Sequence, residues 1–199
     1  MRMEKKVNEK KTYKPQRLRK SERSKIKIMH AAKGLFEEQG MENVTFNEVA
    51  EAADVCRSTV FNHFPSSDDL MAAIYESEIR DIHDRCDASG LEGEEFIRQF
   101  FLHMIQDAAY YPKLMVELTA AALVRDEKKK SLKDIEKILE AKLPRRDQLS
   151  KEEVELQMIM IIGAYTGIIY HYMVNDLKFD VKKMSKQYAA IIDRLLATK

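Results

Sequence analysis

Along most of this 199-residue chain, apolar side chains return every three or four positions, the spacing of one face of an α-helix. Ile28, Ala31, Ala32, Leu35 and Phe36 follow it, then Leu70, Ile74, Ile79 and Ile82, then Leu132, Ile135, Leu139 and Leu143. No period-two apolar run bounded by turn residues competes with this pattern. Only 6 Gly and 4 Pro are available to build turns, which disfavours long loops and short strands. The expected fold is all-α.

The helix boundaries are punctuated. Thr45 with Glu48, and Ser150 with Glu153, have the spacing of capping boxes, and Val44/Val49 and Leu149/Val154 have that of hydrophobic staples. Asp180 reads as a further N-cap, with Phe179 and Met184 as its staple, and Ser66 and Ser67 are cap candidates ahead of Asp68 and Asp69. Gly40 is placed to close the first helix as a left-handed residue, with Met41 folded back on Phe36 in a Schellman stop. Breaks at 89–93, Pro112 and Pro144 complete a count of about nine helices. The pattern predicts an N-terminal three-helix unit and a larger helical body, joined by a long fourth helix from Leu70 to about Cys86.

Charge is divided unevenly. Residues 1–65 carry 14 Lys/Arg against 9 Asp/Glu, and the remainder carries 20 against 24. A basic N-terminal third suits a polyanionic partner there. Cys56 and Cys86 form neither a disulfide framework nor a metal-ligand spacing, so a cytoplasmic setting is expected. His83 lies one turn from Cys86, but no third ligand is evident in sequence. No metal or cofactor is expected. The basic N-terminus has no apolar run behind it of the kind a signal peptide needs. No Gly-rich phosphate loop, His-Glu-x-x-His or activated nucleophile suggests an enzyme. Met158 to Val174 lacks Asp, Glu, Lys and Arg and contains Gly163-x-x-x-Gly167, which raises a membrane span as a rival reading. Its 17 residues are at the short limit and include Thr166, Tyr170, His171 and Tyr172, so a buried helix is the preferred reading and no membrane partner is expected.

A short helix from Thr45 to about Ala53, a tight turn and a second short helix ending near Phe64 have the shape of a helix-turn-helix. Ala50 and Ala53 are small where two helices cross, Val55 plugs the turn, and Val60 and Phe64 point inward. Arg57, Ser58, Thr59 and Asn62 are then left outside, and these residue types can read base edges in a major groove. Thr45 and His63 suit phosphate.

These residues also carry a specific resemblance. The run from Ile28 to Gly40 resembles the first helix of TetR-family regulators, and Thr45-Phe46-Asn47-Glu48-Val49-Ala50 is similar to their second. Val55 to Leu70, with its Phe-x-His-Phe-Pro-Ser run, resembles their recognition helix and the entry to helix 4. Over residues 23–70 the resemblance is continuous; beyond 70 it is one of architecture. It implies that Arg57, Ser58 and Thr59 face bases, with Thr45, Phe61, Asn62 and His63 at or near the DNA backbone. Three positions depart from the family pattern: Asp54 stands for the usual Gly of the turn, Phe61 for the commoner Tyr, and Ser67 for a commonly basic residue. The lost phosphate contacts suggest a compensating role for the basic residues 1–20.

The resulting division is a flexible basic arm over 1–20, a DNA-binding domain over 21–66, and a ligand-binding and dimerisation domain over 67–199. The function implied is repression, by a homodimer bound to double-stranded DNA at an inverted-repeat operator and released by a small, largely apolar effector. Val154, Met158, Ile161, Tyr165, Ile168 and Tyr172 recur at four- and three-residue steps like a seam facing a partner helix, and Tyr188, Ile191 and Leu195 would extend it. Phe100, His103, Met104, Asp107, Tyr110, Met115, Leu118, Tyr165 and Ile169 are the expected pocket residues, with His103 and Asp107 as polar anchors. Two alternatives remain open: a regulator of this fold without an effector, and a helical interaction protein that does not bind DNA.

Overall fold

The computed structural model describes residues 19–124 and 130–196, and the side chains of all of these except 121–124, 130 and 131. The expected arm over 1–20 therefore lies almost wholly outside the described residues. Within them the chain is all-α: α1 (Lys20–Gln39), α2 (Phe46–Ala52), α3 (Arg57–His63), α4 (Ser67–Ala88), α5 (Gly93–Tyr110), α6 (Pro112–Val124), α7 (Lys130–Lys142), α8 (Lys151–Val174) and α9 (Val181–Leu196).

Local chemistry sets most of these boundaries. Thr45 accepts the Glu48 amide at 3.3 Å while the Glu48 carboxylate accepts the Thr45 amide at 2.7 Å. Ser150 and Glu153 repeat that exchange at α8, and Ser66 and Asp69 at α4. Asp180 accepts the Lys183 amide at 3.1 Å, as expected of an N-cap. Pro112 opens α6, where its missing N–H costs nothing.

The end of α1 differs from expectation. Gly40 has φ 81° but ψ 146°, outside the left-handed helical region. Its amide bonds Phe36 at 2.9 Å, but the next amide, Met41 N–H, is taken by the Glu117 carboxylate of α6 at 3.1 Å. A Schellman stop needs that second amide to turn back onto the helix. A distant side chain has captured it.

α1, α2 and α3 form the N-terminal unit around Ile28, Ala32, Phe36, Val49, Ala50, Val60 and Phe64, all buried. The side of α4 bearing Leu70, Met71 and Ile74 is buried as well, and α4 contacts α1, α5, α6 and α7. In the body, α5 packs on α9 and α9 on α8. Aromatic contacts from Phe101 to Tyr165 and Tyr188 fill this region, and Arg98 of α5 is hydrogen-bonded to Asp193 of α9.

α8 turns the series expected as a dimer seam toward its own body. Val154, Met158, Ile161, Tyr165, Ile168, Tyr172 and, on α9, Tyr188 are each at most 7% exposed, because they pack into the core of their own chain. The outward face of α8 is a second apolar series at the same spacing: Leu156, Ile159, Gly163, Gly167, Tyr170 and Val174, all exposed. A helix apolar on nearly every side offers two seams, and its spacing does not say which one turns inward. Ile191 and Leu195 are half-buried on α9. α8 is long and apolar enough to cross a membrane by length and composition, but its inner face forms part of the core.

Candidate nucleic-acid interface

The turn between α2 and α3 is tight. Asp54 adopts φ 52°, the left-handed conformation usually left to Gly, and Val55 N–H bonds Ala50 at 3.0 Å. α3 is only seven residues long and is anchored by Val60 and Phe64, which are 0% and 2% exposed. Its other face is open: Arg57, Ser58, Phe61 and Asn62 are exposed, and Thr59 and His63 are half-buried. Thr45 is exposed at the N-terminus of α2. Six of the seven residues expected from sequence thus lie along α3, and the seventh, Thr45, caps the N-terminus of α2.

Phe61 does more than stand for a Tyr. Its ring meets Phe46 of α2 edge-on at 4.9 Å, and the Arg57 guanidinium lies 5.2 Å from its centroid. The aromatic pair ties α3 to α2, and the cation–π contact limits where Arg57 can point. Cys56 is the exposed N-cap of α3, and its thiol makes no cap hydrogen bond.

The head is joined to the body by reciprocal hydrogen bonds between α1 and α6. Glu37 of α1 accepts the Leu114 amide at 3.0 Å, satisfying an otherwise unpaired donor in the first turn of α6. Glu117 of α6 returns the exchange by accepting Met41 N–H. Beside them Lys33 bridges to Glu78 of α4 at 2.7 Å, and its ammonium lies 4.9 Å from the centre of the Tyr111 ring. The head is therefore tied to both α4 and α6.

A cavity of about 220 Å³ lies in the body. Tyr75 lines it from α4, Phe101 and Met104 from α5, Thr119 from α6, Leu132, Ile135 and Glu136 from α7, and Ile162, Tyr165 and Thr166 from α8. Of the nine pocket residues expected from sequence, Met104 and Tyr165 are on this wall. Phe100, Met115, Leu118 and Ile169 are buried in the surrounding core, and Tyr110 is 76% exposed. His103 and Asp107 do not pair: His103 Nδ1 is 3.1 Å from Gln106 Oε1, and Asp107 is 3.6 Å from Arg85. Burial, with the nearby Glu78 charge, holds the Asp107 carboxyl above its ordinary range against the opposing pull of Arg85, Lys33 and His103. Sequence reasoning missed Tyr75, Phe101, Thr119, Glu136, Ile162 and Thr166 as pocket residues. Leu132 and Ile135 it had placed only on an amphipathic helix. The wall is assembled from five helices, and no local spacing marks such a set.

His83 lies 3.4 Å from both Asp84 and Asp87, and Cys86 is buried; among the described residues no three potential ligands converge for a metal.

Comparison with known proteins agrees with this geometry. Residues 28–74 match the family described as bacterial regulatory proteins, tetR family. The probable acrEF/envCD operon repressor of Escherichia coli (strain K12) is 22% identical over 191 residues, covering 87% of this chain and 86% of that protein. The HTH-type transcriptional regulator AcrR of Shigella flexneri is 23% identical over 188 residues, covering 83% and 85%. Among solved structures, the regulator FadR of Bacillus subtilis, in complex with stearoyl-CoA, superposes with a TM-score of 0.70 at 17% identity, covering 87% of this chain and 98% of that one. A TetR transcriptional regulator of Rhodococcus sp. RHA1 superposes at 0.67 with 15% identity, covering 90% and 99%. A tetR-family DNA-binding unit over residues 28–74, with regulator homologues along most of the chain, supports a TetR-family transcriptional regulator.

Proposed function

We propose that this regulator is a cytoplasmic repressor that binds an inverted-repeat operator as a homodimer and is released by a small, largely apolar effector. The observation that carries the reading is the open polar face of α3, where Arg57, Ser58 and Thr59 face bases while Thr45, Phe61, Asn62 and His63 lie along the backbone. Residues 21–66 form the reading head, residues 67–199 bind the effector and the second subunit, and the basic residues 1–20 add phosphate contacts. A helix as short as α3 spans only a few base pairs, so two copies on a two-fold axis are needed for a selective site.

The two copies meet through the outward face of α8, beside Ile191 and Leu195 of α9. Gly163 and Gly167 line a shallow groove there with Ala190 and Ile191, which lets a partner helix approach closely. The effector occupies the cavity between α4 and α8. Binding there displaces α4 or α6, and the Glu37–Leu114 and Met41–Glu117 hydrogen bonds pass the movement to α1 and the head. Release requires that the effector bind the two arrangements unequally.

The test is a gel shift with duplexes selected from a random pool, repeated over a range of salt. Selection of an inverted repeat, with affinity falling steeply as salt rises, is the expected result. Failure to bind any duplex at low salt would leave a helical interaction protein as the better reading. Removing residues 1–20 should flatten the salt dependence; an unchanged slope assigns the arm no phosphate contacts.

A further inference from the structure

The hairpin between α8 and α9 gathers positive charge at one end of a net-acidic body. Residues 175–187 carry 4 Lys against 2 Asp, whereas the rest of residues 66–199 carries 16 Lys/Arg against 22 Asp/Glu. Lys178, Lys182, Lys183 and Lys186 are all exposed. The first three border one shallow depression beside Phe179, and Lys183 lies over the Tyr172 ring, 6.0 Å from its centre. The contacts of α9 fix which end of the body this is. Phe101 meets Tyr188 and Arg98 meets Asp193, so α9 runs antiparallel to α5 and its first turn lies toward the last turn of α5. α5 ends at Tyr110, and the ring of the next residue, Tyr111, carries Lys33 of α1. The hairpin therefore occupies the end of the body that adjoins the head.

We propose that this hairpin is a second DNA-contacting element, whose lysines meet the phosphates of the operator's central segment between the two half-sites. The inference rests on the dimeric operator reading and extends it beyond the head. The proposed two-fold axis runs along the outward faces of α8 and α9, where Ala190 and Ile191 border the groove around Gly163 and Gly167. Two hairpins then flank that axis on the side of the heads, doubling the set of lysines. Each α3 is occupied with its own half-site, so the segment facing the hairpins is the one no recognition helix reaches. Lysine suits that place, because a compact ammonium on a flexible stem meets phosphate without requiring any base sequence. Screening limits the attraction to about 8 Å at physiological salt, so the contribution is short-ranged and salt-sensitive. An anionic membrane surface is the weaker match. The exposed apolar residues next to the hairpin, Tyr170 and Val174, lie on the face of α8 assigned to the second subunit.

The experiment compares the full chain with a variant combining Lys178→Gln, Lys182→Gln and Lys186→Gln, on the selected operator, by fluorescence anisotropy over a range of salt. Lys183 stays in place because it packs on Tyr172. A second duplex carries uncharged methylphosphonate linkages in the central segment alone. The wild type should bind this duplex at least about tenfold more weakly than the native one, and the variant should lose as much on the native duplex. With one phosphate per hairpin, the variant's log–log salt slope should be shallower by about two, at roughly 0.9 per contact. Combining both changes should cost no more than either alone. Unchanged affinity and slope in the variant would overturn the inference and keep the operator reading. So would losses that multiply on the neutralised duplex, because the lysines would then act elsewhere on the DNA. Light scattering checks that the variant keeps the wild-type mass. Where it does not, the wild type on the two duplexes decides, and equal affinities overturn the inference. Wild-type binding to phosphatidylglycerol vesicles that the variant loses, with operator binding intact, would assign the lysines to a lipid surface instead. If the wild type binds no duplex at low salt, the operator reading itself fails and takes the hairpin assignment with it.

Discussion

Arg57 leaves α3 at its first residue, and the ring of Phe61 one turn later partly fixes its direction. A long cationic side chain loses rotamer freedom when it docks, so a preset direction lowers that cost. The Phe46–Phe61 contact makes the same ring a fastener between the two helices. Phe61→Tyr retains both contacts and adds a hydroxyl at a position expected to lie along the DNA backbone. We expect operator affinity to rise about fivefold, roughly the 1 kcal/mol of a hydrogen bond, when measured by fluorescence anisotropy. Equal or weaker binding would mean that the ring's outer edge does not face phosphate. Asp54 poses a separate question. At φ 52° it carries a conformational cost that Gly would avoid and a β-branched residue would increase. Asp54→Gly should therefore retain or raise stability, and Asp54→Val should cost about 2 kcal/mol in denaturant unfolding. The Asp at this turn was visible in sequence, and so was the conformation it had to adopt, because a tight turn is a local constraint.

At the scale of elements, local features were legible and distant ones were not. The capping boxes at Thr45 and Ser150 involve residues three apart, so their spacing is enough to identify them. The end of α1 depends on Glu117, 76 residues from the amide it accepts, and no pattern around Gly40 contains that information. The cavity wall escaped for the same reason. Among many buried Met and aromatic residues, those beside an unfilled volume are chosen by the packing of five helices. The braces between α1 and α6 also define a prediction. Both are hydrogen bonds to carboxylates in part-buried settings, each worth about 1.5–3 kcal/mol. Glu117→Ala should lower stability within that range. Because the brace links the body to the head, it should also weaken effector-driven operator release more than operator binding itself. Measuring both affinities with and without the effector separates these effects. An equal loss in each would reduce the brace to a structural contact.

For the whole molecule, the decisive surface is the outward face of α8. Sequence spacing identified α8 as a packing helix and selected the series that packs into its own chain, because both series are apolar and similarly spaced. Only the position of the body decides between them, and the body covers the series from Val154 to Tyr172. The remaining series leaves Leu156, Ile159 and Tyr170 at 55%, 62% and 66% exposed. So much apolar surface aligned on one helix is costly in water and marks an interaction face. Ile159→Glu distinguishes the possibilities. On a free surface the change should alter stability by no more than about 0.5 kcal/mol. Across a two-fold interface it buries two like charges close together, which costs several kcal/mol. The variant should remain folded, show half the wild-type mass by light scattering at micromolar concentration, and bind the operator at least about a hundredfold more weakly. That loss follows from coupling: separate heads each contact one half-site and forfeit the effective concentration the dimer provides. A variant that keeps the wild-type mass would remove α8 from the interface and with it the proposed placement of the two heads.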